Sequence, residues 1–245
     1  MPISIETLLG SHAYIYQLIV LSATVVGLFL TTHHCRRSGD MAPAVSRTAC
    51  AQATAFTLIA IVRLVQVVFT LSVWHSQENA FWGPTLERFA DFATVALLAW
   101  SYVPALHRTS GRSAVWLAFN TGLGLAFVLA SWLIHRHAAP LTDFNLSPPA
   151  LGICVYLVLV CVAATAFLFH PPRDRDDGES PTESAETRSL VLVAFVVLLV
   201  GYALHLNTIF SDGYGPPDNV AWWGRLALVL SLPVFLVTIY RGIAI

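Results

Sequence analysis

Long apolar stretches separated by short polar segments form the main pattern along this chain. Crossing the roughly 30 Å hydrocarbon core of a bilayer takes about 20 apolar residues in a helix. Backbone groups in lipid must hydrogen-bond within their own segment, so each such stretch predicts a transmembrane helix. The pattern predicts an all-α, polytopic seven-helix membrane bundle formed by residues 1–245 as one domain, with spans at about 12–32, 49–73, 85–106, 114–134, 149–169, 189–210 and 220–240.

Composition supports the membrane class and excludes a water-soluble globular domain. Hydrophobic residues make up 56% of the chain and charged residues only 11%, which a water-facing surface does not sustain. Continuous apolar runs such as residues 190–204 lack the alternation of an outer-membrane β-barrel. We therefore expect helices that lie in the lipid bilayer, and no nucleic acid as a partner.

The arginines are distributed unevenly between the two ends of the predicted spans. The loops after spans one, three and five, together with the segment after span seven, hold nine of the thirteen, whereas the opposite loops hold only Arg136. Cytoplasmic loops retain positive charge, so the N-terminus is expected outside and the C-terminus in the cytoplasm of a bacterial plasma (inner) membrane. No positive n-region precedes span one, so it is expected to remain as an anchor. The nine are Arg36, Arg37, Arg47, Arg108, Arg112, Arg173, Arg175, Arg188 and Arg241.

Two polar features of the inner side carry further expectations. Residues 170–188 are rich in proline, serine and acidic residues without an apolar period, which predicts a disordered cytoplasmic loop. Cys35 and Cys50 flank the first inner loop, where thiols stay reduced, and Cys154 and Cys161 lie inside span five. No disulfide is expected.

The chain contains no lysine. A retinal Schiff base requires a lysine amine, so the protein is not a microbial rhodopsin despite the similar topology. Span three ends without a DRY-like tripeptide and span seven has no NPxxY pattern. The sequence therefore gives no support to a G-protein-coupled receptor.

Ionisable residues inside the spans are the first candidates for function, because burying charge in a membrane is costly. Arg63 lies near the middle of span two, Gln66 follows it on the same helical face, and Asp91 lies at a depth in span three that an arginine side chain can reach. We expect an Arg63–Asp91 pair, which either fixes helix packing or also contacts a ligand or exchanges partners in a switch. Glu87 and Arg88 are expected to be an interfacial pair at the outer mouth of span three.

Histidine and tryptophan residues concentrate at the same outer end. His205, with Asn207 nearby, lies far enough inside span six to face the bundle. It is expected to make a structural hydrogen bond, to contact a ligand or sense pH, or to be an axial ligand of a metal or haem. Trp222 and Trp223 are expected to form an apolar lid, with Arg225 as a further polar contact. His135 and His137 form an H-x-H pair, which is too few ligands for a metal site.

Small residues and prolines predict features of helix packing. Gly122, Ala126 and Ala130 recur every fourth position of span four and allow close approach of another helix, within the bundle or in a possible homodimer. Pro104 and Pro233 interrupt the hydrogen-bond ladders of spans three and seven and are expected to kink them. A kink at Pro233 is a candidate hinge.

Two segments carry a family resemblance, LERFADFATVALLAW at 86–100 and WGRLALVLSLPVFLVTIYR at 223–241. They resemble the third and last helices in N-terminal membrane regions of multidomain bacterial signalling proteins. In that family a seven-helix region with an outside N-terminus precedes cytoplasmic GAF, PAS, histidine-kinase or diguanylate-cyclase modules. The resemblance implies a membrane input module, and the chain itself contains no catalytic motif of those modules, so no enzyme activity is expected in it.

The expected function is a sensor or receptor-type module that passes an outer-side or in-membrane signal to the cytoplasm. A small or amphipathic ligand would enter between spans two, three, six and seven, and the span-seven hinge would respond. The alternatives are a small transporter or permease and a haem-handling or redox membrane protein. No cofactor is expected, with haem as the alternative. The site residues expected are Arg63, Gln66, Asp91, His205, Asn207, Trp222 and Arg225, with Pro233 as the hinge.

Overall fold

A computed structural model describes residues 12–38, 43–72, 77–107, 109–137, 147–169, 181–211 and 222–244. Every regular element among these residues is helical, which confirms the predicted all-α class. The helices are α1 (His12–Arg37), α2 (Pro43–Ser72), α3 (Gln77–Tyr102), α4 (Pro104–His107), α5 (Ser110–His137), α6 (Pro148–Phe169), α7 (Pro181–Ser211) and α8 (Trp222–Ala244).

Six of these helices are long and apolar enough to cross a membrane, namely α1, α2, α5, α6, α7 and α8. The chain is thus a multi-pass membrane protein by the length and composition of its helices. The remaining long helix, α3, has 26 residues but carries Glu87, Arg88 and Asp91 and is not among the six. Each predicted span overlaps one long helix, and the boundaries differ by up to eight residues.

Proline explains where several helices begin. A proline at the first helical position lacks an N–H group that would have no helical partner anyway, and its fixed φ suits a helix. Pro104 was expected to kink span three, but α3 ends at Tyr102 and Pro104 begins the short helix α4. The helices that begin at proline are α2 at Pro43, α4 at Pro104, α6 at Pro148 and α7 at Pro181.

The prediction of a disordered loop at 170–188 is wrong for residues 181–188. Residues 181–188 belong to α7, and residues 170–180 lie outside the described part of the chain. Ala185, Glu186 and Arg188 have good helix propensity, so the apolar helix extends backward into this polar segment. An exposed ion pair between Glu186 and Arg241, with 3.0 Å between Oε2 and Nη1, joins the start of α7 to the end of α8.

The long helices close into a bundle in which α8 returns to contact α1. Each long helix packs against the next along the chain, and α3 also contacts α6. Most residues of α3 from Thr85 to Tyr102 are buried, so α3 is an interior helix although it carries three charged residues. Close packing of side chains drives this association, because lipid offers no hydrophobic contrast. Fully buried core side chains include Phe56, Val95, Leu98, Phe195, Leu228 and Phe235.

The small-residue stripe on α5 faces away from the other helices in the part of the chain that the structure describes. Gly122 and Ala126 are exposed, and a Cβ added at Gly122 would have no described atom within 4 Å. Only 22% of the apolar segment of α5 is buried, against 33–44% in the other five apolar helices. The expectation that this stripe serves packing within the bundle is therefore wrong, because α5 lies at the periphery with the stripe outward.

Close approach occurs instead between α7 and α8. A Cβ added at Gly201 would overlap the Ala227 Cβ and lie 3.0 Å from the Trp223 carbonyl oxygen. Both neighbours are backbone or directly attached to it, so neither can rotate away. Gly201 therefore sets the distance between the two helices.

Gly201→Ala is expected to lower the free energy of unfolding by about 1–3 kcal/mol, the usual cost of overpacking. The matched control Gly122→Ala adds the same methyl group where nothing is displaced. The control is expected to raise the free energy of unfolding by less than about 1 kcal/mol, because alanine reduces the conformational entropy of the unfolded chain. Unfolding of both variants in detergent or nanodiscs gives the comparison, and equal stabilities would contradict this account of α7–α8 packing.

The structure joins Cys35 and Cys50 in a disulfide with 4.9 Å between their Cα atoms. The expectation of no disulfide is therefore wrong. The sequence places the two cysteines 15 residues apart, but their pairing depends on the antiparallel packing of α1 and α2, which brings the end of one helix beside the start of the other. Cys154 and Cys161 are buried and unbonded.

Candidate ligand and switch site

Arg63 is the centre of a buried polar cluster. It lies in α2 with no exposed surface. Its guanidinium donates to the Gln66 Oε1 at 3.1 Å, to the Asp91 Oδ1 at 2.8 Å and to the Thr94 Oγ1 at 3.2 and 2.9 Å. Gln66 is one turn from Arg63, so the two side chains share a face of α2. Thr94 is one turn from Asp91, so these two share a face of α3. The expected Arg63–Asp91 ion pair is present, and Gln66 belongs to it.

Asp91 uses its two carboxylate oxygens unequally. Its Oδ1 accepts from Arg63 and, at 2.7 Å, from the hydroxyl of Tyr16 in α1. Its Oδ2 is buried with no hydrogen-bonding partner among the described residues. The carboxylate therefore ties α1, α2 and α3 together and retains one unused acceptor.

A second ion pair joins α3 to α8. Arg225 donates from Nε to the Glu87 Oε1 at 2.6 Å and from Nη2 to Oε2 at 2.9 Å, a bidentate arrangement. Glu87 and Arg88 are 5% and 3% exposed. The expectation that they form an interfacial pair is therefore wrong, because Glu87 faces Arg225 across the helix interface and Arg88 is also enclosed.

Tyr16 links the two ion pairs. The Arg63 Cζ lies 5.9 Å from the centre of its ring and the Arg225 Cζ lies 5.7 Å from it. Both distances are within the range in which a cation is attracted to an aromatic face. Glu87 and Asp91 are four residues apart on one face of α3, so each acidic group meets one of the two arginines.

Tyr202 and His205 add α7 to the cluster. Both side chains are fully buried. The Tyr202 hydroxyl and both imidazole nitrogens of His205 have no hydrogen-bonding partner among the described residues. Tyr202 lies within electrostatic range of Asp91, and His205 within that of Arg225. Gly224 makes room for the Tyr202 ring, since a Cβ there would lie 3.1 Å from its Cε1.

Asn207 of the expected site and Trp223 of the expected lid lie outside this cluster. Asn207 is exposed, because it lies two residues beyond His205 and so on another face of α7. The Trp222 side chain lies outside the described part of the structure. Trp223 is 38% exposed, so it faces outward from the bundle and is not a lid over buried groups.

A separate contact joins α3 to α8 at the other end of the bundle. The Tyr102 hydroxyl donates to the Phe235 carbonyl at 3.1 Å, and the two rings lie 4.7 Å apart. Pro233, the expected hinge, lies two residues before Phe235 within a continuous α8. Proline has no N–H, so the turn at Pro233 lacks one helical hydrogen bond. α3 thus contacts α8 on both sides of Pro233, at Arg225 and at Phe235.

Among the residues that the structure describes, no group of three histidine, cysteine or acidic side chains is placed to hold a metal ion. The side chains of His135 and His137 lie outside those residues. His205 is the histidine of the cluster, and Cys154 and Cys161 are buried in α6.

Sequence reasoning missed Tyr16, Thr94, the role of Glu87 and the burial of Tyr202 within the cluster. The i, i+4 spacing of Glu87 and Asp91 was a usable signal, because two carboxylates on one face of an apolar helix require two cationic partners. Tyr16 had no comparable signal, since aromatic residues are common near span ends.

Comparison of the chain with protein families, curated proteins and solved structures finds no match. The class therefore rests on the fold itself: an all-helical, multi-pass membrane protein with a buried polar cluster shared by α1, α2, α3, α7 and α8.

Proposed function

We propose that this protein is a sensor or receptor-type membrane module, in which the polar cluster binds a small or amphipathic ligand or changes its pairing in response to the membrane. The observation that carries the proposal is a set of buried polar groups with unused hydrogen-bonding capacity, on Asp91, Tyr202 and His205, at the junction of five helices. Such groups are costly in a membrane interior and point to function.

The proposed topology has seven spans, with α3 as the seventh. Tyr16, near the start of α1, meets Asp91 in the middle of α3, and Arg225, in the first turn of α8, meets Glu87, also in the middle of α3. Tyr102, the last residue of α3, meets Phe235 in the second half of α8, so both helices run in the same direction from the first pair of contacts to the second. α3 thus runs parallel to α1 and α8 through the same thickness, and its 26 residues extend about 39 Å.

The arginine distribution supports an outside N-terminus and a cytoplasmic C-terminus in a bacterial plasma membrane. In this orientation the cluster lies in the outer half of the bundle. The Tyr102–Phe235 contact then lies in the inner half, beyond Pro233. A rearrangement at Glu87 and Arg225 would reach the cytoplasmic end of α8 through these two contacts.

The site as described is a closed state. Arg63, Asp91, Tyr202 and His205 have no exposed surface, so a ligand enters only if α7 or α8 moves. A ligand that supplies partners to the unused groups stabilises the moved state, and the population shifts by its difference in affinity for the two states. The unused groups comprise hydroxyl, imidazole and carboxylate oxygen, which suits a ligand with both donors and acceptors.

The test is a stabilisation screen of the purified protein in nanodiscs with short-chain alcohols, amides and phenols as probes. A probe that binds at the cluster is expected to raise the thermal midpoint of the wild-type protein and to lose this effect in Tyr202→Phe and His205→Ala. Asn207→Ala is the matched control, because Asn207 lies on the same helix but is exposed. Loss of the effect in the control alone, or no stabilising probe at all, would contradict the proposal.

Uptake of the same probe into proteoliposomes separates a sensor from a transporter. A sensor is expected to bind without translocation and to change amide hydrogen exchange in α8 beyond Pro233. Accumulation inside the vesicles would favour the transporter, whose protonatable relay would use the Tyr202 and His205 groups.

A further inference from the structure

The Cys35–Cys50 disulfide lies at the end of the bundle opposite to the polar cluster. It joins the last turns of α1 to the first turns of α2. In the proposed orientation this end faces the cytoplasm, where thiols are kept reduced and the disulfides that occur are usually transient, catalytic or redox-sensing. Two cysteines placed within bonding distance on that side are therefore suited to reversible oxidation.

An open groove is lined in part by Cys50. The groove has a volume of about 610 Å³ and is lined by residues that include Arg47, Cys50, Trp100, His107 and Ser110. Cys35 and Cys50 are both only partly buried, and Arg47 is exposed. Cys50 is therefore open to a small reactant at this end of the bundle, which faces the cytoplasm in the proposed orientation.

The wall of the groove is held rigidly at His107. Its Nδ1 lies 2.8 Å from the Trp100 carbonyl oxygen, which can only accept, so Nδ1 carries the proton. Its Nε2 lies 3.3 Å from the Thr48 hydroxyl and is then the acceptor of that bond. Burial lowers the pKa of His107, so the imidazole is neutral near pH 7 and Arg47 supplies the positive charge of the groove.

We propose that Cys35 and Cys50 form a thiol–disulfide exchange site for anionic low-molecular-weight disulfides of the glutathione class, with Cys50 as the entry thiol. The proposal rests on the proposed orientation but not on the ligand site. The Cys50 thiolate attacks one sulfur of the small disulfide, forms a mixed disulfide and releases the first small thiol. The Cys35 thiolate then attacks the Cys50 sulfur and releases the second. The protein loses two electrons, and one small disulfide becomes two thiols.

The redox state of this pair reaches the end of α8 through His34. A Cβ added at Gly242 would lie 3.6 Å from both Cε1 and Nε2 of the His34 ring, so the last turn of α8 packs directly on this histidine. His34 precedes Cys35, which means that the bond constrains the helix turn that α8 contacts. Reduction releases that turn and regulates the inner end of α8.

The test counts free thiols on the wild-type protein in membranes. The chain has four cysteines, so denatured protein takes up four maleimide-polyethylene glycol chains when reduced and two when the bond is formed. We expect four after acid quenching of growing cells and two after oxidised glutathione is added to inside-out vesicles, with dithiothreitol restoring four. Oxidised glutathione added to spheroplasts, which it does not enter, is expected to leave four. The Cys35→Ser/Cys50→Ser variant takes up two throughout.

The rate at which Cys35 and Cys50 are oxidised tests whether the charge of the groove attracts the reactant. Arg47→Gln is expected to slow oxidation by oxidised glutathione roughly 3- to 10-fold, as for loss of one charge that attracts an anionic reactant, and to leave oxidation by uncharged hydroxyethyl disulfide unchanged. Arg112→Gln is the control, because Arg112 is an exposed arginine of α5 that lines a different groove.

Three results would overturn the proposal. Four labels under every condition would show that the pair does not exchange, without affecting the orientation. Two labels in growing cells that dithiothreitol alone converts to four would show a constitutive structural bond. Oxidation from the spheroplast side only would overturn the orientation, and with it the cytoplasmic exchange site, while the ligand-site test in nanodiscs would stand.

Discussion

Arg63→Met is expected to lower the free energy of unfolding by about 3–5 kcal/mol, because it leaves the Asp91 carboxylate buried without its cation. Both groups are fully buried, so water cannot solvate the remaining charge. Asp91→Leu is expected to cost a similar amount, since the guanidinium of Arg63 would retain only the neutral partners Gln66 and Thr94. The measurement is equilibrium unfolding of the protein by SDS titration in mixed micelles.

The double variant Arg63→Met/Asp91→Leu distinguishes a pair from two independent residues. It carries no unpaired charge, so it is expected to be more stable than either single variant. It remains less stable than wild type, because Tyr16 loses its acceptor, which costs about 1–3 kcal/mol for a buried hydroxyl. If the double variant has no higher free energy of unfolding than either single variant, the pairing is wrong.

Arg241→Gln is the control for removal of an arginine as such. The Arg241–Glu186 pair has side chains that are 49% and 71% exposed. Exposed pairs contribute about 0–1 kcal/mol, so this variant is expected to unfold almost as wild type does. The difference between Arg63→Met and Arg241→Gln therefore measures the cost of leaving a buried charge unpaired and not the loss of a guanidinium as such.

The sequence allowed prediction of the features that depend on one helix or on depth along it. Apolar length gave the long helices, and the matching depths of Arg63 and Asp91 gave their ion pair. The bilayer restricts helices to nearly parallel axes, so depth alone limits which ionisable groups can meet. This is why a buried pair 28 residues apart was predictable without any alignment.

The features that depend on which helices are neighbours were not predictable. The bond between Tyr16 and Asp91 requires α1 to lie beside α3, and the Glu87–Arg225 pair requires α8 to lie there too. An apolar helix in lipid has little hydrophobic asymmetry to indicate its inward face. The Cys35–Cys50 bond was missed for a related reason, since the expected compartment argued against it while the helix hairpin brings the two residues together.

The Glu87–Arg225 pair is expected to give unequal results when its two members are neutralised. Arg225→Gln removes the cation that pairs with Glu87, whose short side chain is 7% exposed and lies on the same helix face as the Asp91 carboxylate. We expect this variant to lose about 3–5 kcal/mol of unfolding free energy. Glu87→Gln leaves Arg225, which is 12% exposed, faces the Tyr16 ring at 5.7 Å and has a side chain long enough to extend toward the headgroups. We expect it to lose about 1–3 kcal/mol.

Amide hydrogen exchange along α8 connects this difference to the proposed switch. Both variants weaken the contact between α8 and α3 near Arg225 and keep the Tyr102–Phe235 hydrogen bond. If α8 moves as two segments about Pro233, protection is expected to fall between Trp222 and Leu232 while the segment from Val234 to Ala244 keeps its protection. Equal loss of protection on both sides would mean that α8 moves as one rigid helix and that Pro233 is not a hinge. In Glu87→Gln/Arg225→Gln the two amides can hydrogen-bond to each other, so protection of the outer segment is expected to return toward the wild-type level. If it does not return, the charges themselves, and not the link between α3 and α8, hold the outer half of α8 in place.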